Sequence, residues 1–255
     1  MNSTKLTEEP PKTEPVLFPA NLKDWNQSGV SLAVLGDPIG HSISPIIHNA
    51  ALCTMARTRK EFNQWRYYRF EVPLECLRDC LPTFSQSGFR GLNLTIPLKV
   101  EALELADRID PEALAMGAIN TLVFHKDGSC EGFNTDGAGL EHALQDEFDL
   151  SLSGVPVVLL GAGGAARAAA TRFLRAGCSE LWIGNRTPER LARLLEVLVF
   201  DDSQRVEAFS LDNPHPDLPR GADAVVVNAT SLGLGLEDAP PLDLANFADG
   251  AIAYD

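Results

Sequence analysis

The stretch Val155-Pro-Val-Val-Leu-Leu-Gly161-Ala-Gly-Gly-Ala-Ala166 decides how this chain reads. Its first six residues form a continuous apolar run, as expected of a strand buried on both faces of a parallel sheet. Gly161 ends the run. Gly161-Ala-Gly-Gly-Ala-Ala166 follows the pattern G-x-G-x-x-A and leads into a small-residue helix from Ala165 to Ala176. In such a unit the first glycine permits a tight turn and the second lets the backbone approach a pyrophosphate. The small third residue keeps helix and strand close. Amides at the helix start then face the anion, helped by the helix dipole. Gly161, Ala162, Gly163, Gly164 and Ala165 are therefore expected to cradle a dinucleotide. The plainer alternative is a glycine-rich turn that binds nothing.

Downstream, 180–184 reads as the next strand, 222–228 as a buried strand and 251–254 as the possible start of another, with a helix from Pro188 to about Val197. Strands alternating with helices predict a doubly wound parallel sheet of the Rossmann type. The strand at 180–184 is followed by Asn185-Arg-Thr-Pro-Glu-Arg190. An NAD site usually has an acidic residue there, which would repel a 2′-phosphate, whereas Arg186 can pair with one through its planar fork. Arg190 could close over the other side. Positive charge is unfavourable near a helix N-terminus, so an anion would relieve a cost. NADP is the expected cofactor, held by Asn185, Arg186, Thr187 and Arg190. Two solvated arginines are the plainer reading.

The first half has a different texture. Strands are expected at 30–36, 65–71 and 91–96, and helices at 45–57 (with Ser44 as N-cap), at 74–87 and from Pro97 through Ala106. A hairpin is expected to join 120–124 to 130–133. The result is an α/β chain in which a mixed-sheet substrate domain (29–137) is joined through a linking helix (138–153) to the Rossmann domain (154–255). Residues 1–28, polar and proline-rich, are expected to be a disordered leader.

Composition excludes several classes. With 21 basic and 35 acidic residues the formal charge is −14, which argues against non-specific nucleic-acid binding and against an anionic membrane surface. No apolar run is long enough to span a bilayer. The five cysteines, Cys53, Cys76, Cys80, Cys130 and Cys178, contain no C-x-x-C pair, so neither a disulfide framework nor a metal site is expected. A cytoplasmic setting follows as the default, with a homodimer as the assembly to look for.

Four motifs in the first half carry polar groups that a simple core would not choose: Ser42-Ile-Ser-Pro45, Asn93-Leu-Thr-Ile-Pro-Leu-Lys99, Gly117-Ala-Ile-Asn-Thr121 and Gly132-Phe-Asn-Thr-Asp-Gly137. Each lies where a strand meets a loop or helix, the usual place for ligands in α/β units. Singly, each has a bland reading: Ser44 or Asp136 as a helix cap, Asn120 as a turn residue, Lys99 as surface charge. Together they suit a small polyol carboxylate. Ser42 and Ser44 can bind a carboxylate, while Thr95, Lys99, Asn120 and Asp136 can bind ring hydroxyls. A lysine and an aspartate suit proton transfer in an alcohol–ketone interconversion.

With Gly161-Ala-Gly-Gly-Ala-Ala-Arg-Ala168, Asn185-Arg-Thr187 and Asn228-Ala-Thr-Ser-Leu-Gly233, these motifs resemble, in order, those of the shikimate dehydrogenase family. The resemblance runs from about Val30 to Asp255. It implies an NADP-dependent oxidoreductase interconverting 3-dehydroshikimate and shikimate, on the route to chorismate and aromatic amino acids. It also implies that Lys99 and Asp136 are the catalytic pair, that Ser42 and Ser44 bind the carboxylate, and that Thr95 and Asn120 are further substrate ligands. Thr230 is a weaker candidate near the nicotinamide. The family continues past the position of Asp255 with another tyrosine, a Gly-x-x-Met-Leu-x-x-Gln segment and a returning helix. Weak or absent turnover is accordingly expected of these 255 residues. Two alternatives remain at this level: a quinate-preferring relative using NAD or NADP, and a non-catalytic dinucleotide-binding or regulatory protein.

Overall fold

The computed structural model describes residues 15–230, 232 and 239–255. The chain forms two compact units, residues 1–110 with 119–133, and residues 111–118 with 134–255.

The first unit is built on a sheet of seven strands. These are β1 (Val16–Leu17), β2 (Val30–Gly36), β3 (Trp65–Glu71), β4 (Phe89–Leu94), β5 (Arg108–Ile109), β6 (Thr121–Phe124) and β7 (Cys130–Phe133). Their spatial order is β1-β3-β2-β4-β6-β7-β5. The β1, β3, β2 and β4 pairings are parallel, and β6 is antiparallel to both β4 and β7. The crossovers carry α1 (Ser44–Ala56) and α2 (Leu77–Gln86). The expected β6–β7 hairpin is present, and so is the mixed sheet.

Two expectations fail here. The helix expected from Pro97 to Ala106 is a turn followed by a 3-10 segment, Glu101–Glu104. Its ladder is interrupted because the Lys99 carbonyl accepts the Ile119 N–H at 2.8 Å, an acceptor that an α-helix would need for itself. The disordered leader expected over 1–28 also does not hold for its described part. Residues 1–14 lie outside the described residues, but Val16–Leu17 pairs with Arg69–Phe70, and Leu22 is buried. Trp25 packs its ring 4.9 Å from Tyr68, 5.1 Å from Phe89 and 5.7 Å from Phe70.

The second unit holds α3 (Pro111–Met116), α4 (Asp136–Phe148) and a wholly parallel sheet with α5 (Gly164–Arg175) and α6 (Pro188–Leu195). Its strands are β8 (Pro156–Leu160), β9 (Glu180–Asn185), β10 (Arg205–Ser210), β11 (Val225–Asn228) and β12 (Ile252–Tyr254). The order β10-β9-β8-β11-β12 reverses direction at β8, the switch point at which doubly wound sheets bind ligands. The apolar runs of β8 and β11 are buried, as continuous hydrophobic strands should be. On α5 the alanines 166, 168, 169 and 170 are all buried, so the helix lies close on the sheet. β10 was not anticipated. It is an edge strand of alternating polar residues that pairs with β9 in register from Arg205–Glu180 to Ser210–Asn185.

Because Trp25 joins an aromatic cluster, Trp25→Ala should cost about 2–4 kcal/mol of stability. This would appear as a lower urea midpoint with an unchanged slope. An unaltered midpoint would mean that this segment adds no packing.

Candidate active site

In the first unit the polar motifs gather at the strand ends. After β4 the Thr95 amide returns to the Leu35 carbonyl at 2.9 Å, and the Asp37 amide reaches the Ile96 carbonyl at 3.1 Å. The loops after β2 and β4 are thus pinned together. Gly36 permits this: a Cβ there would lie 2.4 Å from Thr95 Cγ2. Across the β4–β6 seam the Leu94 amide donates to the Asn120 carbonyl at 2.8 Å, and Ile119 N–H donates to the Lys99 carbonyl. Thr95, Lys99 and Asn120 are brought together by these main-chain bonds.

Ser42 and Ser44 follow β2 on the loop into α1. Arg69 Nη1 fixes this loop by donating to the Gly40 carbonyl at 2.6 Å and the Ser42 carbonyl at 3.1 Å. Ser44 is not the N-cap. That position is Ile43, no side chain caps the helix, and Ser44 already lies inside it. Instead Ser42 Oγ accepts the Ser44 N–H at 3.3 Å, which sets the two serines side by side.

Asp136 belongs to the second unit, as the first residue of α4. Its N–H donates to Asn134 Oδ1 at 3.0 Å, while Asn134 Nδ2 donates to the Ala118 carbonyl at 2.9 Å. Asn134 is buried and ties the end of the Gly117-Ala118 turn to the start of α4. The sequence reading passed it over, although it stands inside one of the quoted motifs.

Gly117 has φ +59°, ending α3 with Gly117 N–H on the Leu114 carbonyl and Ala118 N–H on the Ala113 carbonyl. This is the pair of bonds that closes a helix on a left-handed glycine. The Arg167 guanidinium lies flat over it, so that a Cβ on Gly117 would come 2.3 Å from Arg167 Cζ. Arg167 thus puts positive charge at the negative end of α3. Among the described residues its buried Nε finds no hydrogen-bond partner, and desolvation pulls its pKa below the ordinary arginine value. Further along α5, Arg172 pairs with Glu141 of α4 and, at 3.4 Å, with Glu112 of α3.

The glycine loop lies between β8 and α5. Gly161 has φ +117°, and a Cβ there would sit 2.7 Å from the Ala229 carbonyl oxygen. It therefore has to be glycine on both counts. A Cβ on Gly163 or Gly164 would meet nothing within 4 Å, so the space over the helix start is open. Gly163 is the N-cap and brings no side chain to the first-turn amides. Those amides, with Ala162 and Ala165 beside them, suit the pyrophosphate of a dinucleotide. At the end of β9, Asn185 Nδ2 donates to the Thr187 carbonyl at 3.0 Å, shaping the turn. Arg186, Thr187 and Arg190 are exposed beyond it. Among the described residues no hydrogen bond or ion pair engages the guanidinium of either arginine, while the Arg190 N–H donates to the Thr187 carbonyl at 3.2 Å.

Of Asn228-Ala-Thr-Ser-Leu-Gly233, Ser231 and Gly233 lie outside the described residues. The Thr230 hydroxyl donates to Asn228 Oδ1 at 2.7 Å and accepts the Leu232 N–H at 3.0 Å, so it is committed to its own loop. No group of three or more metal-binding side chains converges among the described residues, and none of their helices is long and apolar enough to cross a membrane.

Residues 34–122 match the family model for the shikimate dehydrogenase substrate binding domain, and residues 142–232 match that for shikimate / quinate 5-dehydrogenase. The NADP(+) shikimate dehydrogenase of Methanopyrus kandleri is 39% identical, over 84% of this chain and 72% of its own length. That of Cupriavidus pinatubonensis is 40% identical, over 87% of this chain and 74% of its own. The crystal structure of shikimate 5-dehydrogenase from Thermus thermophilus in complex with NADP(H) and shikimate aligns with a TM-score of 0.73 at 37% identity, covering 88% of this chain and 77% of that one. Two domain models matched in order, with relatives this similar over more than two thirds of their length, establish that the chain belongs to the shikimate dehydrogenase family.

Proposed function

We propose that this protein interconverts 3-dehydroshikimate and shikimate with NADP(H). The observation that carries the reading is the gathering of Thr95, Lys99 and Asn120 by main-chain bonds at adjacent strand ends, in a chain whose other unit bears an open dinucleotide loop. Relatives named NADP(+) shikimate dehydrogenase at 39% and 40% identity weigh against a quinate-preferring enzyme and against a non-catalytic protein.

The cofactor, when bound, supplies the hydride chemistry at the 3-keto carbon. The protein's part is position, charge and a proton. Ser42 and Ser44 donate to the substrate carboxylate, and Thr95 and Asn120 bind ring hydroxyls. Lys99 gives a proton to the oxygen on which negative charge develops and takes it back in the reverse direction. Asp136 orients the groups taking part in the same step. Gly161 to Ala165 hold the pyrophosphate. Arg186 and Arg190, with Asn185 and Thr187, hold the 2′-phosphate.

Arg186→Ala should weaken NADP about ten- to a hundredfold, the worth of one charge-assisted contact, and leave NAD nearly unchanged. Equal losses in titrations with the two cofactors would remove Arg186 from phosphate recognition. Replacing Ser42 and Ser44 together by Ala should raise the KM for shikimate without altering the Kd for NADP. A purely structural role would instead lower the Tm and leave KM alone. Lys99→Ala should cut kcat by about 10²–10⁴ with a smaller change in KM. Asp136→Asn should also cut kcat, and the double variant should lose far less than the product of the single losses. Losses that simply multiply would show that the two residues serve separate steps.

A further inference from the structure

A chain of side-chain hydrogen bonds crosses the first unit behind Asn120. It starts at Tyr67 on β3, which is almost wholly buried. Its ring stacks on His48 at 4.2 Å with planes 9° apart. Its main chain is clamped by Asn49, which donates through Nδ2 to the Tyr67 carbonyl and accepts the Tyr67 N–H, each at 2.9 Å. Burial raises its pKa above the usual tyrosine range, so the hydroxyl keeps its proton. Although β2 lies between their strands, the Tyr67 hydroxyl donates to Asn93 Oδ1 on β4 at 2.6 Å.

The direction of the chain follows from what each atom can do. Asn93 faces the Asn120 main-chain carbonyl at 3.5 Å. A carbonyl only accepts, so the Asn93 nitrogen must be on that side, which turns its oxygen to Tyr67. The same nitrogen donates to Thr121 Oγ1 at 3.0 Å. Having accepted there, the Thr121 hydroxyl donates to Asn120 Oδ1 at 2.9 Å. The Asn120 oxygen is thereby engaged as an acceptor within the protein, and the amide nitrogen becomes its donating end.

We propose that Tyr67, acting through Asn93 and Thr121, is a positioning residue that fixes the Asn120 amide as a hydrogen-bond donor toward a substrate hydroxyl oxygen. The inference rests on the reading of Asn120 as a substrate ligand. It assigns a polarity to that subsite: a ring hydroxyl, which can accept, is taken, and an ammonium group in its place, which can only donate, is refused. Tyr67→Phe keeps the ring and its stacking and removes only the first donor of the relay. Thr121→Val cuts the link nearest Asn120 and serves if the tyrosine variant folds poorly.

The test has two readouts on the full chain. In nitrogen–proton correlation spectra, the Asn120 side-chain NH₂ pair, assigned by its loss in Asn120→Ala, should shift in Tyr67→Phe and in Thr121→Val without any ligand. In titrations with shikimate, Tyr67→Phe should weaken binding about tenfold with NADP binding unchanged. The same change made on Asn120→Ala should have no further effect. An unmoved NH₂ pair, or equal penalties in both backgrounds, overturns the proposal. Should the pair respond while the unaltered chain fails to bind shikimate, the relay stands and the substrate reading falls.

Discussion

Main-chain groups buried at the ends of strands must find partners, and the first unit resolves this by bonding one strand end to the next. Beyond the last ladder positions of β2, β4 and β6, the amides of Thr95, Leu94 and Ile119 reach the carbonyls of Leu35, Asn120 and Lys99. Unpaired, each would carry the full cost of an unsatisfied buried polar group. Paired, they extend the rigidity of the sheet into segments that are formally loops. Thr95, Lys99 and Asn120 each stand on or beside a residue that contributes one of these bonds. Their placement therefore rests on sheet geometry and not on a loop's own preferences.

The second unit meets the same requirement with side chains. Asn134 spends its oxygen on the Asp136 amide and its nitrogen on the Ala118 carbonyl. Arg172 holds Glu141 and Glu112, so α5 grips both α4 and α3. Gly137 admits this packing, since a Cβ there would press on Met116, the Ala168 carbonyl and Arg172. Asp136 is thus referenced, through the first turn of α4, to the same helix whose start carries the glycine loop.

Much of this was legible in the sequence because it rests on steric demands that only certain residues meet. Gly161 announces a left-handed turn pressed against another loop, and the alanines of α5 announce a helix lying close on its sheet. The polar motifs stood out in the sequence because Asn93 and Asn120 lie near strand ends and Asp136 opens a helix, at places where a core would use apolar groups. Other features left no local trace. β1 and β10 are edge strands without an apolar run, so periodicity passes over them. The interruption after Lys99 depends on Ile119, twenty residues on. The Tyr67–Asn93 bond joins strands that are not neighbours in the sheet, and only the fold brings its partners together.

The chain passes between its two compact units at 110/111, 118/119 and 133/134, so the boundary in space is not a boundary in sequence. Pro111–Met116 is encoded within the first half yet fastens to α5 through Glu112 and through the glycine beneath Arg167. A single genetic crossover between the halves of two relatives would therefore graft one parent's α3 onto the other parent's α5. In such a hybrid the residues that meet Glu112 and Gly117 of this chain, Arg172 and Arg167, would come from the other parent, so the fit of α3 on α5 would depend on what that parent carries at those two positions.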